Sequence, residues 1–376
     1  MIKSLVLVLL LQLIPVLCQA APRVAVIVSS SQPEPGRAGF NLDELAKAWL
    51  SLHDHGVDVV LFSPAGGSLP VHGHKDQYAH MQRFKQATPA LAQLAATRPG
   101  ALLDQQSFDG VLVIGGDGAA RDLPGDANVI RFLGAMARAG KPVAAVCHGV
   151  AALLDVTGAD GQPLLQGRTV SAFSNREESL FGKDGGQHAQ DRLETRLRAR
   201  GADYRQAPAM LPYVAQDANL VTAQNPVSVQ LATRRFMQLL GVTLKPALHF
   251  PDDASMALVA QALGSGAAVL EMQLALDKAS YDADWMMLYA LYGPSDAYPA
   301  DRLPQVTSLA ETIARHFPHP EVYKGLVAHH LRGKDLGRAR AWLARIASDY
   351  PDFPRGTMEE NIRLAGASLA APTPAR

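Results

Sequence analysis

Short and almost continuous apolar runs recur through the first part of the chain and predict buried β-strands. They cover residues 23–29, 57–62, 110–114 and 142–146, and a fifth strand with a turn is predicted for residues 219–226. Strands that are buried on both faces show such runs instead of a strict alternation of apolar and polar residues. The pattern therefore predicts a parallel sheet.

Amphipathic stretches lie between these runs and predict helices. Residues 42–54 and 128–139 carry apolar side chains every three or four positions, and a glycine follows each stretch. Alternation of strands and helices favours an α/β fold of the doubly wound type with a mostly parallel sheet. In such folds ligands bind at the carboxyl ends of the strands, so the residues that follow each predicted strand are the first candidates for a site.

The last third of the chain shows helical periodicity only. Helices are predicted for residues 254–279, 284–292, 306–316, 321–331 and 336–350. The last two resemble a single tetratricopeptide hairpin near residues 320–351, although stable stacks of this repeat need about three copies. A small helical bundle packed against the α/β domain is the alternative.

These patterns divide the chain into five segments. They are a signal peptide over residues 1–20, an α/β domain over 21–244, a linker over 245–253, a smaller all-α domain over 254–369 and a disordered tail over 370–376. The linker is predicted from its two prolines and its lack of periodicity.

Charge and composition exclude several classes of function. The chain has 376 residues with 35 basic and 35 acidic side chains, so its formal net charge is zero. This balance offers no electrostatic footprint for nucleic acid or for an anionic membrane. Apolar residues make up 48% of the chain, which is typical of a globular protein and not of a disordered one.

The N-terminus has the layout of a secretory signal peptide. Lys3 precedes an apolar run over residues 5–17, and small residues allow cleavage after Ala20. The run is too short and too interrupted to predict a membrane span. A lipoprotein is disfavoured, because the bulky Leu17 directly precedes Cys18. The predicted location is therefore secreted or periplasmic.

Removal of this leader would leave Cys147 as the only thiol. Cys147 follows the predicted strand 142–146, and Gly149 allows a sharp turn into a helix. Such a turn places the side chain at the positive end of a helix, where a thiol loses its proton more readily and becomes a nucleophile. The alternative is an inert cysteine in the core, the common state of a free Cys.

A glycine turn follows a second predicted strand. Gly115 and Gly116 come directly after the apolar run and can direct backbone N–H groups at a developing oxyanion. The ending of a phosphate loop and the glycine spacing of a dinucleotide site are both missing from this motif. Taken alone, such a pair of glycines is most often a simple turn.

Glu44 has a structural and a catalytic interpretation. With Asn41 three residues earlier it forms a capping-box pattern at the start of the first predicted helix. That role alone explains the residue and is favoured without further information. The catalytic interpretation makes Glu44 a buried acid near the thiol that exchanges protons with it or with a substrate.

Glu177 and Glu178 form an acidic pair after another β-like run. Such a pair is usually solvated, but a carboxylate here can instead orient His148 and fix its tautomer. Neighbouring residues on a regular helix do not face each other, so a contact between His148 and Cys147 requires a distorted turn.

Metal binding is not predicted. His72 and His74 share a loop, but no third ligand is visible, and two histidines are a weak signal. The expected site therefore contains no metal and no other cofactor.

Six motifs resemble a known family when they are taken together and in order. They lie at residues 39–45, 63–67, 114–118, 145–149, 173–178 and 220–226 and read GFNLDEL, SPAGG, IGGDG, AVCHG, FSNREE and LVTAQNP. The first domain resembles the superfamily of PfpI-type proteases, the parkinsonism-associated deglycase protein and class I glutamine amidotransferase-like domains. Within it, the chain looks most like the branch of heat-shock chaperones with glyoxalase III activity. The resemblance implies a flavodoxin-like sandwich.

The resemblance also implies roles for the candidate residues. The catalytic set would be the nucleophile Cys147, its neighbour His148, the acid Glu44 and a third member, Glu177 or alternatively Glu178. The oxyanion pocket would be built from backbone amides at Gly115, Gly116 and His148.

The implied activity is that of an exported, cofactor-free enzyme that converts a 2-oxoaldehyde such as methylglyoxal to lactate through a Cys147 adduct. One alternative is a cysteine hydrolase that acts on peptides or amides. Another is a secreted chaperone or binding protein whose cysteine is redox-sensing or vestigial. The expected partners are a small aldehyde and a protein that contacts the helical domain, with a homodimer left open. Nucleic acid is not an expected partner.

Overall fold

A mostly parallel sheet forms the centre of the first part of the chain. The computed structural model describes residues 20–32, 39–71, 76–158, 160–182, 189–294, 298–299 and 301–370. The strands in these residues are β1 (Arg23–Ile27), β2 (Asp58–Ser63), β3 (Arg98–Pro99), β4 (Gly110–Val113), β5 (Val143–Val146), β6 (Thr169–Val170), β7 (Asp203–Tyr204), β8 (Val214–Asp217) and β9 (Leu220–Ala223).

The order of the strands explains where a site can form. In the described residues the main sheet has seven strands in the order β3-β2-β1-β4-β5-β9-β8, and only β8 and β9 pair antiparallel. β6 and β7 form a separate parallel pair. The predicted α/β fold with a doubly wound, mostly parallel sheet is confirmed. The carboxyl ends of β1, β4 and β5 therefore lie side by side at one edge of the sheet.

Helices cover both faces of the sheet. They are α1 (Leu42–Asp54), α2 (Ala79–Gln86), α3 (Thr88–Ala95), α4 (Ala119–Asp122), α5 (Ala127–Arg138), α6 (Asn175–Phe181), α7 (Leu193–Ala199) and α8 (Val229–Leu239). Trp49 of α1 and Phe236 of α8 belong to the core on one face, and Phe132 of α5 and Leu197 of α7 belong to the core on the other. Successive residues of each strand serve opposite cores, which is why the strands read as continuous apolar runs.

The helix predicted for residues 42–54 is confirmed with the same bounds. Asn41 begins it, because its side chain accepts hydrogen bonds from the backbone N–H groups of Asp43 and Glu44. The cap thus fixes the position of the first turn of α1, which carries Glu44.

The described residues of the last part of the chain are helical and share a third apolar core. The helices are α9 (Pro251–Ser265), α10 (Ala267–Asp277), α11 (Ala283–Tyr292), α12 (Leu303–His316), α13 (Pro320–Arg332), α14 (Leu336–Asp349) and α15 (Gly356–Ala370). The single helix predicted for residues 254–279 is wrong, because Gly266 adopts a φ of 94° and separates α9 from α10. The assignment of α13 and α14 to the tetratricopeptide type stays a prediction.

The predicted linker ends too late. Residues 251–253 lie in the first turn of α9, where Asp252 and Asp253 are buried against Lys47 of α1. Lys47 Nζ lies 2.7 Å from Asp252 Oδ2, 2.6 Å from Asp253 Oδ1 and 3.2 Å from Asp43 Oδ2. His80 Nε2 lies 2.7 Å from the other oxygen of Asp43. These buried charges hold the helical region against the α/β domain.

Three predicted features fall wholly or mostly outside the described residues. They are the signal peptide with its cleavage after Ala20, the pair His72 and His74, and the disordered tail from residue 370. Among the helices that the structure describes, none combines the length and apolar character that crossing a bilayer requires. Export stays a prediction.

Replacement of Lys47 by Met is expected to destabilise the protein by about 3–5 kcal/mol, because it leaves carboxylates buried without their cation. The loss should become smaller as the pH is lowered from 7 to 5, since protonated Asp side chains need no cation. Urea unfolding at both pH values measures it. The matched control is Lys324→Met, which removes an exposed lysine paired at 3.0 Å with Glu321 and should cost about 1 kcal/mol or less. Equal losses in the two variants would contradict the assignment.

Candidate active site

A strained turn at the end of β5 forms the centre of the site. Cys147 follows β5 directly and has a φ of 55°, in the left-handed region that a side chain rarely adopts. The helix predicted to follow is a 3-10 helix over Cys147–Leu153. A side chain at Gly149 would place a Cβ 2.8 Å from the Ile114 carbonyl oxygen, so the turn requires glycine there.

The environment of Cys147 does not make the thiol more acidic, and that expectation is wrong. The residue is 3% exposed, and burial together with the nearby Glu44 carboxyl group raises the pKa of the thiol well above its usual value. The backbone N–H of His148 acts in the opposite direction but does not prevail. The thiol is therefore protonated at rest, and it becomes a nucleophile only if a neighbour takes its proton.

Glu44 is buried against the same turn. Its Oε2 accepts a hydrogen bond of 2.9 Å from the Gly115 N–H, and the side chain has no exposed surface. Burial raises the pKa of Glu44 from 4.5 to about 7, against the Gly115 hydrogen bond and the Cys147 thiol, which both lower it. Glu44 does not complete a capping box, because the Asn41 N–H donates to the Gly115 carbonyl instead. The structure brings the acid to the thiol.

The two turn glycines have different roles. Gly115 was expected to donate its N–H to an oxyanion, but this N–H donates to Glu44 instead and is not available for that role. Gly116 adopts a φ of 111°, and a Cβ there would lie 2.5 Å from the Asn41 backbone nitrogen. The Gly116 N–H has no hydrogen-bond acceptor among the residues that the structure describes. Gly116 and the His148 amide remain the candidates for an oxyanion pocket.

His148 bridges the thiol and a carboxylate. Its Nδ1 lies 3.6 Å from Cys147 Sγ, and its Nε2 lies 2.9 Å from Glu178 Oε2. The Phe173 ring packs on the imidazole, with the ring centroids 4.5 Å apart. If Nε2 donates to Glu178, then Nδ1 is the acceptor that faces the thiol. The left-handed turn at Cys147 is what allows two neighbours in the chain to meet.

The carboxylate that contacts His148 is that of Glu178, the alternative third member of the set, and not that of Glu177. Glu177 is 1% exposed, and the hydrogen bonds of its carboxyl group go to residues other than His148. It forms a capping box with Ser174 at the start of α6 and accepts hydrogen bonds from Met210 N and Asn225 Nδ2. Consecutive residues of a helix point about 100° apart, so only one of the two carboxylates can reach the imidazole. Gln224 and Asn225 of the motif 220–226 supply two of the donors to Glu177, but nothing in the spacing of the motifs links them to that residue.

The described residues contain no group of three or more His, Cys, Asp or Glu side chains arranged to hold a metal ion. The observed groups can exchange protons with the Cys147 thiol.

Comparison with known proteins supports the resemblance found in the sequence. A model of the DJ-1/PfpI family matches residues 38–238. The chain is 27% identical over 140 residues to glutathione-independent glyoxalase hsp3101 of Schizosaccharomyces pombe. It is 30% identical over 139 residues to glutamine amidotransferase-like class 1 domain-containing protein 1 of Bos taurus. These matches cover 35% and 37% of this chain and 57% and 62% of the relatives, so the chain spans about three fifths of their length.

Solved structures show the same fold. Rapid Encystment Protein 24 kDa of Francisella tularensis is 26% identical with a TM-score of 0.51, and the match covers 58% of this chain and 99% of that one. Glyoxalase III of Candida albicans is 18% identical with a TM-score of 0.52, and the match covers 58% of this chain and 97% of that one. At 18% identity, the similarity to the Candida albicans protein shows a shared fold and nothing more. The flavodoxin-like fold and the resemblance to the family are both confirmed.

Replacement of Glu44 by Gln is expected to stabilise the protein more at pH 8 than at pH 5. Because the folded-state pKa of about 7 lies above the usual 4.5, the folded wild type binds the extra proton, and its stability falls as the pH rises through this window. Between pH 5 and pH 8 the wild type should lose about 2–3 kcal/mol of its free energy of unfolding through this group, and the uncharged Gln side chain should not show this loss. Urea unfolding at both pH values checks this, with Glu359→Gln on the exposed face of α15 as the control. A difference between wild type and Glu44→Gln that does not depend on pH would show that Glu44 is not held protonated by burial.

Proposed function

This chain belongs to the DJ-1/PfpI family, and from the geometry of its site we propose that it is a cofactor-free enzyme converting small 2-oxoaldehydes such as methylglyoxal to 2-hydroxy acids. The observation that supports this proposal is one thiol in contact with two proton carriers. Cys147 Sγ lies 3.6 Å from His148 Nδ1 and interacts with the buried carboxyl group of Glu44. The reaction needs a nucleophile and a group that moves a proton between two carbons. The relative named as a glutathione-independent glyoxalase also supports it.

The first step forms a bond between Cys147 Sγ and the aldehyde carbon. Because the thiol is protonated at rest, its proton leaves as this bond forms, and His148 Nδ1 accepts it. Glu178 at Nε2 stabilises the resulting imidazolium. The imidazolium then gives this proton to the aldehyde oxygen, which becomes the hydroxyl group of a hemithioacetal. In this proposal the amides of Gly116 and His148 stabilise the negative charge that develops on that oxygen.

The second step moves a proton between neighbouring carbons. Glu44 removes the proton from the former aldehyde carbon while the ketone oxygen takes up the hydroxyl proton of that carbon, which gives the enediolate. Glu44 then returns its proton to the ketone carbon, and the former aldehyde carbon becomes the carbonyl of a thioester. The aldehyde carbon is oxidised to the acid level while the ketone carbon is reduced to an alcohol, so no external oxidant is needed. A pKa of about 7 suits Glu44 to accept and release a proton at neutral pH.

The last step is hydrolysis of the thioester. Water attacks the thioester carbon, the C–S bond breaks, and Cys147 leaves as the thiol. For methylglyoxal the sum of the steps is the addition of one water molecule to give lactic acid.

A second candidate function is that of a chaperone or binding protein. Met272 and Leu276 lie one turn apart on α10 and are 52% and 75% exposed. Adjacent exposed apolar side chains of this kind are typical of contact surfaces. Suppression of aggregation that survives Cys147→Ala but is lost in Met272→Ser/Leu276→Ser would favour this function.

Replacement of Cys147 by Ala or Ser is expected to abolish lactate formation from methylglyoxal, because neither side chain supplies a thiolate. Glu178→Gln is expected to lower kcat about 10–100-fold with little change in KM, since it removes the charge that stabilises the imidazolium. Lactate release by the purified proteins measures both effects, and Glu359→Gln serves as the control.

Equal activity in wild type and Cys147→Ala would rule out the proposed mechanism. Cleavage of amide substrates by the wild type, without any lactate formation, would favour a cysteine hydrolase that uses the same residues.

The pH profile provides a separate test of Glu44. The value of kcat/KM is expected to rise with pH and to level off above about pH 7, because only the ionised carboxylate removes a proton from carbon. Initial rates between pH 5 and 9 at constant ionic strength measure the profile. Glu44→Gln should lose about 99% of the activity, and its residual rate should lack this rise. An unchanged rise in the variant would assign it to another group.

A further inference from the structure

We propose that the helical C-terminal region sets the position of α6 and, through it, the contact between Glu178 and His148. The positioning residues are Glu177 and Met210, which connect α6 to the core of that region. This inference rests on the proposed function only in that it assigns Glu178 a part in catalysis; the positioning itself is a matter of geometry.

The first observation is that α6 depends on its surroundings. It has seven residues, Asn175–Phe181, and a helix of this length is not stable alone. Glu178 extends from it to His148 Nε2 at 2.9 Å. A small rotation or shift of α6 therefore changes this distance directly.

Glu177 anchors the helix through its buried carboxyl group. Oε2 accepts hydrogen bonds from Ser174 N at 3.1 Å and Ser174 Oγ at 2.8 Å. Oε1 accepts three more from outside α6, at 3.0 Å from Met210 N, 3.1 Å from Gln224 Nε2 and 2.8 Å from Asn225 Nδ2. Because Glu177 and Glu178 are consecutive in one helix, the anchor of the first fixes the direction of the second.

The segment that binds Glu177 lies between β7 and β8 and packs into the core of the helical region. Met210 and Leu211 are 1% and 2% exposed, and both lie in the core that α9 to α15 share. Met210 has a φ of 72°, a backbone conformation that persists only when the surroundings hold it. The Leu211 carbonyl accepts a hydrogen bond of 2.9 Å from Asn225 Nδ2, which also donates to Glu177. Packing in the helical core thus presents the Met210 N–H to Glu177.

The other end of α6 also contacts the helical region. The ring of Phe181, the last residue of α6, meets the ring of Tyr292 at the end of α11 edge to face, with centroids 6.1 Å apart. The helix that carries Glu178 is therefore held at two points. Met210, which packs into the helical core, binds Glu177, and Tyr292 of α11 contacts Phe181. Productive proton transfer depends on alignment of this precision, so a loss of either support should be visible at His148.

The test uses the full chain and the variants Met210→Ala and Glu177→Gln. Met210→Ala removes the side chain from the helical core but keeps the N–H that binds Glu177. The matched control is Ile346→Ala, which removes a fully buried side chain of the same core in α14. Met210→Leu keeps an apolar side chain and should restore wild-type behaviour.

The readout that does not depend on substrate is the titration of His148, followed by NMR in protein labelled at the histidine Cε1 and assigned with His148→Gln. Met210→Ala and Glu177→Gln should both shift this titration towards that of Glu178→Gln, whereas Ile346→Ala should leave it as in wild type. The proposal is overturned if His148 titrates in Met210→Ala as it does in the wild type and in Ile346→Ala. It is also overturned if His148 titrates in Glu177→Gln as it does in the wild type.

Activity is the second readout. Met210→Ala should lower kcat about 10-fold at nearly constant KM and should cause no further loss in the Glu178→Gln background. An additional loss in that background would mean that Met210 acts elsewhere and would overturn the proposal. If the wild type forms no lactate, the proposed function fails, and the titration of His148 still decides whether the helical region positions α6.

Discussion

Burial of a carboxyl group beside a thiol is the constraint on which the rest of the site depends. The space between them is so small that a Cβ at Gly115 would lie 2.7 Å from Cys147 Cβ and 2.8 Å from Glu44 Oε2. The Glu44 carboxyl group opposes ionisation of the thiol, and both groups lose the solvation that would favour a charge. The thiol therefore retains its proton until a reaction moves it, whereas Glu44, with a pKa of about 7, exchanges its proton near neutral pH. In the proposed mechanism, nucleophilic attack by the thiol and loss of its proton are therefore parts of one event.

The backbone is held in an uncommon conformation so that these groups can meet. Cys147 and Gly116 both have positive φ, at the ends of two neighbouring parallel strands. Such strain persists only where the surroundings fix it. Here the buried sheet supplies that rigidity, together with the hydrogen bond from the Asn41 N–H to the Gly115 carbonyl. The apolar cores on both faces of the sheet thus hold the site in place.

The helical region is connected to the α/β domain by buried polar contacts and not only by apolar packing. Lys47 of α1 pairs with Asp252 and Asp253 of α9, and Glu177 of α6 accepts a hydrogen bond from Met210 in the helical core. Buried charges tolerate little displacement, because each partner is left unsolvated if the other moves. Contacts of this type fix the orientation of two packed regions more narrowly than apolar contacts alone.

Local sequence patterns determined the α/β fold, helix α1 and the strands β1, β2, β4, β5 and β9, because apolar periodicity and caps act over neighbouring residues. The order of the six motifs also identified the family and the turn at Cys147. Only the tertiary structure decided that Glu178 and not Glu177 meets His148, that Gly115 serves Glu44, and that the predicted linker ends in buried aspartates. The physical reason is that partner choice on a helix depends on which segments approach each face. The thiol's pKa likewise depends on desolvation and on a charge from a distant helix, and neither is encoded in the residues next to Cys147.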